Sequence, residues 1–448
     1  MNKLLLATLI SATCGTGAVS ANKLYTADVL SDLVKVSDNG RFVACGDTEN
    51  SISYLWDSEK PEEFTSFGDV KIEVYDVSDN GEVVGALYET GGKWRSVIYR
   101  NGEWEQLPLH SAVMNTTAAV AITPDGSVIG GYQFLSDPDS EIAGRYYPCR
   151  WLRNSDGDYE LEIYTELELP AHQGFYVTCM NKEGSTLGGR LYCGAGSTIP
   201  ALVKDGELII WNTLTSEMRP VYYKGQVIGE VERYFIDGYQ DGYTGEYFVG
   251  EFDYCDAMGN FYGARTKASN VHGEEGEGTL TNYACIYNEK SGDWTDSTDY
   301  SVFGSGIGTD YIFAMNGKVI HDGEAESATT MFDVTAPKGI NMITGTSDDG
   351  QVLAGQLYEL NAASGEYQYY PFVIVLDEPL VSGVENVISG KDNAVILVSA
   401  GRIDVAGAEK VAVYDMNGRL VSTQTTSHVA PGVYAVKAGK TTRKVIVK

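Results

Sequence analysis

The chain has 448 residues, of which 43% are hydrophobic and 21% are charged. This balance is typical of a globular protein with a large core and excludes a disordered chain. Asp and Glu number 62 against 32 Lys and Arg, which gives a formal net charge of -30. Because so acidic a surface repels phosphate groups, we expect neither nucleic-acid binding nor binding to anionic membrane surfaces.

Residues 1–21 have the pattern of an export signal. Lys3 precedes the apolar run 4–10, and small residues follow as far as Ala21. The run is too short to span a bilayer, so we expect cleavage after Ala21 and export of the mature chain. No other stretch of the sequence is long and apolar enough to predict a membrane span.

A short motif recurs along residues 22–380. Each copy is a polar turn ending in glycine, followed by two or three apolar residues and a small residue. The six turn glycines are Gly40, Gly81, Gly126, Gly184, Gly259 and Gly350. Asp-Gly and Asn-Gly turns allow positive φ at the glycine, as two-residue hairpin turns require. We therefore predict a two-residue hairpin turn at each copy, with positive φ at Gly40, Gly81, Gly126, Gly184 and Gly350.

Further strands follow most copies of the motif. A third strand ends in an aromatic residue, and a second turn and fourth strand often come next, as at Trp56, Asn101-Gly102 and Asp205-Gly206. Repeated four-stranded units predict an all-β protein with the blades of a β-propeller. The first two glycine spacings, 41 and 45 residues, fit one blade each. The last two, 75 and 91 residues, leave room for an eroded blade or for insertions, so we expect six or seven blades.

The motif resembles the repeats of secreted proteins with HAF-type repeats. In those repeats a V-S-x-D/N-G-x-x-V-x-G unit precedes a strand with an aromatic end, as in Val36–Gly46 and Val77–Gly85. The resemblance implies a propeller-like fold for residues 22–380 and no particular chemistry.

Residues 384–448 differ in composition from the rest of the chain. They carry nine Lys and Arg against five Asp and Glu, whereas residues 22–383 carry 22 against 57. About seven short strands are predicted within these 65 residues, and Asn417-Gly418 predicts a hairpin between two of them. The pattern favours a small, immunoglobulin-like antiparallel sandwich as a separate domain.

This C-terminal segment resembles the type A sorting domain of the type IX (Por) secretion system. The resemblance lies in Val413–Arg419, in Gly432–Tyr434 and in the terminal Lys444–Lys448. It implies a Bacteroidetes-type cell, transit through the periplasm and passage across the outer membrane, with the type IX machinery as partner of residues 384–448. The protein would then be secreted or attached to the cell surface. A C-terminal adhesion module of similar fold is the alternative.

Motifs for chemistry are absent from the sequence. We find no nucleophile elbow, no HExxH pair and no phosphate-binding loop, and so expect no cofactor. The alternating oxygens of Asn154, Asp156 and Asp158 resemble the start of a calcium loop, although a polar hairpin turn explains the same residues. Tyr239, Asp241 and Tyr243 mix acids and aromatic rings and are candidates for contacts with a ligand such as a glycan.

Six cysteines remain beyond the export signal. They are scattered, and several lie in apolar, strand-like runs such as Phe42–Cys45. An exported chain permits disulfides, but we expect buried free thiols at these positions. Zinc binding is not expected, because only five histidines occur and none lies at ligand spacing from a cysteine.

Two functions fit these observations. The first is a non-enzymatic propeller that binds a ligand or protein outside the cell, for which 30 tyrosines supply contact area. The second is an extracellular hydrolase of glycans or peptides with carboxylates at the mouth of the channel. An enzyme should show two or more buried acids of raised pKa in one pocket, and a binding module should lack such a pair. The absence of catalytic motifs favours the binding module.

Overall fold

A computed structural model describes residues 22–447 except 32, 48–51, 69, 137–143, 168, 170–173, 195–196, 211–213, 224–225, 237–249, 270–278, 309, 382–394, 400–401, 407–409, 416–417, 431 and 439–440. The described residues are mostly β-strand and include one four-residue helix. The predicted all-β class is therefore confirmed.

The first strand of the described residues is β1 (Lys23–Thr26), and four blades follow it in sequence order. The first blade is β2 (Leu33–Val36), β3 (Phe42–Asp47), β4 (Ile52–Asp57) and β5 (Phe64–Ser66). The second is β6 (Ile72–Val77), β7 (Val83–Glu89), β8 (Lys93–Arg100) and β9 (Glu103–Gln106). The third is β10 (Val113–Ile122), β11 (Val128–Leu135), β12 (Arg145–Arg153) and β13 (Tyr159–Ile163). The fourth is β14 (Gly174–Met180), β15 (Thr186–Gly194), β16 (Ser197–Lys204) and β17 (Glu207–Ile210).

A two-stranded hairpin, β18 (Leu214–Tyr223) and β19 (Gln226–Ile236), separates the fourth blade from the fifth. The fifth blade is β20 (Glu251–Cys255), β21 (Asn260–Ser269), β22 (Thr279–Asn288) and β23 (Trp294–Ser297). The sixth is β24 (Phe303–Ile307), β25 (Tyr311–Ala314), β26 (Lys318–His321) and β27 (Glu324–Ser327), and helix α1 (Ala328–Met331) follows it. The seventh contains β28 (Gly339–Thr346), β29 (Val352–Leu360) and β30 (Tyr367–Val375).

The seven blades form a closed ring. The first strand of each blade packs beside the first strand of the next, and β28 of the seventh blade packs beside β2 of the first. The fourth strand of the seventh blade is β1, which pairs antiparallel with β30 from Lys23 opposite Val375 to Thr26 opposite Phe372. The two ends of residues 22–380 are thus joined in one sheet, and the predicted six or seven blades number seven in the described residues.

The repeat turns join the first two strands of six blades. The five glycines for which we predicted positive φ all have it, between 70° and 78°. The predicted two-residue turn is wrong, because four residues connect the paired Ser37 and Phe42 in the first blade. Gly40 N donates to Ser37 O at 2.9 Å, which closes a tight turn inside the longer connection.

The first polar residue of the turn has a structural role in the motif, because its side chain accepts backbone N–H groups at the end of the turn. Ser37 Oγ accepts the backbone N–H of Phe42 at 3.0 Å, and Ser347 Oγ accepts that of Val352 at 2.9 Å. Asn181 in the fourth blade accepts the N–H groups of both Ser185 and Thr186. These side chains are almost fully buried, so each satisfies backbone donors that the turn would otherwise leave unpaired.

The turn glycines also set the spacing between blades. A Cβ atom on Gly40 would lie 2.8 Å from Val352 Cγ2 of the seventh blade, and one on Gly184 would lie 2.7 Å from Val128 Cβ of the third. Such distances leave no room for a side chain. Each of these turns therefore rests with its glycine directly against the preceding blade.

The two long glycine spacings have different explanations. The interval before Gly259 contains the β18–β19 hairpin, which is an insertion. The interval before Gly350 contains the whole sixth blade, whose first turn includes Gly308 and Asp310 and does not follow the motif. The eroded blade that the sequence allowed is therefore the sixth.

The C-terminal residues form two sheets, as the sequence predicted. Their seven strands are β31 (Val395–Ser399), β32 (Arg402–Ala406), β33 (Val411–Asp415), β34 (Leu420–Ser422), β35 (Thr426–His428), β36 (Gly432–Ala438) and β37 (Thr441–Val447). One sheet has the order β31-β32-β35 and the other β34-β33-β36-β37. Ile403 of the first sheet shares one hydrophobic core with Val413 and Val436 of the second, so the two sheets form a sandwich.

Five of the six cysteines beyond residue 21 are buried free thiols, as expected: Cys45, Cys149, Cys179, Cys255 and Cys285. The side chain of Cys193 lies outside the described part of the chain. Among the described residues, no helix has the length and apolar character that crossing a membrane requires.

We expect Gly184→Ala to destabilise the protein more than Gly157→Ala. Both glycines have positive φ, 72° and 89°, but a Cβ on Gly157 would meet nothing within 4 Å. Gly157→Ala therefore measures backbone strain alone, about 1 kcal/mol. Gly184→Ala adds the clash with Val128, which should cost about 1–3 kcal/mol more. Urea unfolding of the mature chain measures both free energies, and equal losses would contradict the role of Gly184 in blade spacing.

Candidate functional site

The first strand of each blade lies beside the central channel and ends at the first turn of its blade. We call the end of the ring that carries these turns the repeat-turn face, and the other end the opposite face. Several first strands contain a β-bulge just before the turn, which leaves one residue without a cross-strand partner. These residues are Tyr75, Val120, Thr178, Asp253, Gly304 and Thr344. Bulges change the direction of side chains, and they are common beside functional sites.

At the repeat-turn face, one lysine joins three blades. Lys182 lies in the turn of the fourth blade, and its ammonium group pairs with Asp38 of the first blade and with Asp348 of the seventh, the latter at 3.5 Å. The three side chains are only 14%, 13% and 17% exposed. Lys182 therefore reaches from one side of the ring to the other and links blades that are not neighbours.

This group contains one lysine and two acids, and the pKa of Asp38 is raised within it. Burial raises the pKa of Asp38 to about 7, and the Asp348 carboxylate adds to the rise while Lys182 opposes it. Burial lowers the pKa of Lys182, but Asp38 and Asp348 outweigh that effect and hold it well above its usual range. Lys182 thus stays charged at neutral pH, and Asp38 is the member that gains or loses a proton.

A second pair of charges lies deeper in the channel. Lys35 of β2 donates to the backbone carbonyl of Asp253 in β20 at 2.6 Å, and its ammonium group lies 6.0 Å from the ring of Tyr254. Burial raises the pKa of Asp253 to about 7, with a further rise from Glu251. This contact joins the first blade to the fifth, again across the ring.

Asp76 of β6 binds the neighbouring blade. Its two carboxylate oxygens accept the backbone N–H groups of Ile122, in the third blade, and of Val77, both at 2.9 Å. Burial raises the pKa of Asp76 in spite of these bonds. The side chain supplies acceptors to two backbone donors and so fastens one blade to the next.

These side chains line one cavity of about 50 Å³, whose walls include Lys35, Asp38, Asp76, Lys182 and Asp253. A cavity of this volume has room for about three or four water molecules. Three acids of raised pKa in one pocket meet the criterion that we set for an enzyme. Asp38, however, pairs with Lys182, and Asp76 binds backbone N–H groups of its own and the next blade. The charge of Lys35, which binds the backbone carbonyl of Asp253, opposes the rise in the Asp253 pKa. Such structural networks also shift pKa values.

A cluster of aromatic side chains lies at the opposite face, between the third and fourth blades. The ring centroids of Tyr146 and Tyr176 are 4.2 Å apart, and Tyr132 lies 5.6 Å and 5.4 Å from them. Phe134 completes the cluster at 4.9 Å from Tyr146. We call Tyr132, Phe134, Tyr146 and Tyr176 the tyrosine cluster. All four are half-buried, so their rings are in part accessible.

A charged pair adjoins the tyrosine cluster. The Arg190 guanidinium lies 5.1 Å from the Tyr176 ring and donates to the Glu251 carboxylate of the fifth blade at 2.9 Å. The Arg190 side chain is 38% exposed and that of Glu251 is 24% exposed. On the other side of the cluster, the Tyr75 hydroxyl donates to the Glu73 carboxylate. The opposite face therefore combines accessible aromatic rings with carboxylates.

The calcium candidates lie in the turn between β12 and β13, on the repeat-turn face. Asn154 Oδ1 accepts the backbone N–H groups of Asp156 and Asp158, both at 3.0 Å, and its amide donates to Glu160 at 3.1 Å. The oxygen of Asn154 is thus already engaged in its own turn. In the described part of the chain, no three His, Cys, Asp or Glu side chains are grouped as metal ligands. Calcium binding here stays a prediction.

The ligand candidates Tyr239, Asp241 and Tyr243 lie outside the described residues. Sequence reasoning also missed the charged side chains that line the cavity, Lys35, Asp38, Asp76, Lys182 and Asp253, which we call the channel charges. One signal for them was present in the sequence. Lys35, Asp76 and Asp253 interrupt first strands in which the other copies of the repeat have mostly apolar residues or threonine at the same positions. The tyrosine cluster gave no such signal, because its members come from three different strands.

No protein-family model matches the chain, and no curated protein matches it either. Among solved structures, the putative TolB of Agrobacterium tumefaciens is similar at 7% identity and a TM-score of 0.36, over 61% of this chain and 81% of the other. A Swd1 β-propeller domain from Myceliophteria thermophila is similar at 10% and 0.39, over 78% and 99%. A prolyl endopeptidase is similar at 10% and 0.41, over 92% of this chain and 55% of its own. The propeller assignment rests on the seven sheets themselves.

We expect Lys182→Met to destabilise the protein more at pH 8 than at pH 5. An unfolded aspartate titrates near pH 4, whereas Asp38 in the fold titrates near 7, so the fold loses stability as pH rises through this window. At pH 8 the wild type holds an ionised Asp38 against Lys182, whereas the variant must either bury this carboxylate without its cation or protonate it, at a cost of about 3 kcal/mol. At pH 5 Asp38 is neutral and the loss should be smaller.

Urea unfolding at the two pH values measures this difference. Lys290→Met is the matched control, because Lys290 lies in an exposed turn and its removal should change stability by no more than about 0.5 kcal/mol. Equal losses for Lys182→Met at pH 5 and pH 8 would contradict the assignment of Asp38 as the titrating member.

Proposed function

We propose that the propeller is a non-enzymatic binding module that takes its ligand at the tyrosine cluster on the opposite face. The observation that carries this proposal is the cluster itself: three tyrosine rings within 5.6 Å of one another, half-buried and bordered by charged groups. Tyrosine offers a large apolar ring with a polar hydroxyl and loses little entropy on binding, which suits recognition.

The channel charges have a structural role in this proposal, separate from ligand binding at the tyrosine cluster. Lys182 and Lys35 each connect blades across the ring, and the cavity between them has room for only a few waters. A glycan or peptide chain is far larger than such a cavity. The three acids therefore support a rigid platform for the tyrosine cluster better than they support hydrolysis within the channel.

The hydrolase alternative draws its support from the same acids. Asp38 and Asp253 titrate near pH 7, and a general acid needs such a pKa. If the alternative holds, Asp253→Asn should abolish release of reducing ends or new amino groups from glycan or peptide mixtures. If the binding function holds, wild type and variant should both lack such activity.

We expect Tyr146→Ala to weaken ligand binding by about tenfold, as loss of an aromatic contact usually does. Binding of the purified mature chain to a glycan array and a peptide array, followed by titration of the hits, measures the change. Tyr367→Ala is the matched control: Tyr367 is a 58% exposed tyrosine on the outer part of the seventh blade. Equal effects of the two variants would contradict binding at the tyrosine cluster.

We further propose that residues 384–448 direct export through the type IX secretion system and that the protein ends at the cell surface or in the medium. The sandwich fold and the resemblance of Val413–Arg419 and the terminal lysine motif to the sorting domain support this role. The segment carries a charge opposite to that of the propeller, which is consistent with a separate task.

Deletion of residues 439–448 tests the sorting role, because it removes β37 and the terminal lysine motif. We expect the truncated protein to accumulate in the periplasm with a folded propeller, as judged by cell fractionation and resistance to protease. A variant with Lys410→Ala, which keeps β37 and the terminus, should be exported normally. Normal amounts of the truncated protein at the surface or in the medium would favour the adhesion module instead.

A further inference from the structure

The propeller carries a large excess of negative charge. Residues 22–383 contain 57 Asp and Glu against 22 Lys and Arg. A field of this sign raises the local concentration of cations and speeds the association of a positively charged partner. Long-range electrostatics at the tyrosine cluster therefore favours a cationic ligand over a neutral or anionic one.

The protein already places cations of its own on tyrosine rings near this cluster. The Arg190 guanidinium lies 5.1 Å from the Tyr176 ring, and Glu251 holds it from the other side. Lys71 lies 4.5 Å from the ring of Tyr88, another tyrosine on a strand of the second blade. A cation over an aromatic face with a carboxylate beside it is a favourable arrangement, and more so when water is in part excluded.

A further acid comes from the second blade. Tyr75 packs against the same hydrophobic cluster as Tyr132, and Glu73 lies two residues before Tyr75 on β6, so Glu73 is on the second-blade side of the tyrosine cluster. Burial raises the pKa of Tyr132, and the neighbouring Tyr146 and the Glu73 carboxylate add to that rise. Glu73 also accepts the hydroxyl of Tyr75 on the same strand. The cluster thus has Glu73 on one side and Glu251 on the other, with Arg190 as the nearby cation. Two acids about aromatic rings provide the two components that recognise an ammonium or guanidinium group.

We propose that the ligand of the tyrosine cluster is a basic peptide segment, bound through a lysine or arginine side chain that lies against the ring of Tyr146 near Glu73. A peptide fits better than a small amine, because the large negative net charge of residues 22–383 attracts several positive charges at once. This inference rests on the proposed function, since it names the class of ligand that the same site takes.

The test uses the mature chain and two synthetic peptides with a fluorescent label, (Gly-Lys)5 and its fully Nε-acetylated counterpart. Acetylation removes each charge and keeps the length and sequence. Fluorescence anisotropy should give at least about tenfold weaker binding of the acetylated peptide, together with a marked loss of affinity for the charged peptide between 50 and 500 mM salt.

Three variants at the cluster and one control variant test where the peptide binds. Tyr146→Ala should weaken binding of the charged peptide by about tenfold, whereas Tyr146→Phe, which keeps the ring, should remain within about twofold of wild type. Glu73→Gln should weaken binding by about threefold to fivefold, and Glu103→Gln, which removes one exposed acid from β9, should not change it. Thermal unfolding of Tyr146→Phe and Glu73→Gln checks that both variants fold.

The outcomes separate this inference from the function on which it rests. Equal binding of the two peptides, or a loss of binding in Tyr146→Phe as large as in Tyr146→Ala, overturns the cationic ligand. Tyr146-dependent, salt-independent binding of a neutral glycan also overturns it but leaves the proposed function intact. If neither peptides nor glycans bind in a way that depends on Tyr146, the proposed function fails as well.

Discussion

The architecture depends on the contact between most of the turn glycines and the blade before each of them. Gly40, Gly184 and Gly350 have no side chain to separate them from Val352, Val128 and Ile307 of the preceding blades. The same residues need positive φ to close the turn. One amino acid therefore satisfies a local constraint of the hairpin and a long-range constraint of the ring, and the close packing of seven twisted sheets follows from it.

Charged side chains add contacts across the ring to the contacts that the glycines make between neighbouring blades. The turns bring neighbouring blades together, but Lys182 and Lys35 connect blades on opposite sides of the channel. Buried ion pairs contribute little net stability, because the loss of hydration offsets their attraction. Their contribution here is better understood as geometric: they keep the blades at a fixed distance across an opening that apolar side chains do not fill. A rigid ring then positions the accessible tyrosines at the opposite face.

Local features of the fold could be predicted from the sequence, and long-range ones could not. The turns at Gly40 and Gly81 and the aromatic-ended third strands are encoded within about ten residues, so a single sequence shows them. The sixth blade could not be recognised in the sequence because its first turn, at Gly308, lacks the motif. The charged side chains of the channel could not be predicted for a similar reason, since Lys182 meets Asp38 across 144 positions of sequence. Proximity of that kind appears only when the ring closes.

Closure of the ring by β1 has a consequence for how the chain acquires its structure. The first described strand, Lys23–Thr26, pairs with β30, which is made about 350 residues later. Because the chain emerges from its N-terminus, this strand waits for its partner until β30 has emerged as well. Throughout that time the growing sheet has an open edge, and open edges invite pairing between chains. The last blade is therefore the point at which the newly made protein is most exposed to aggregation and most dependent on protection by chaperones.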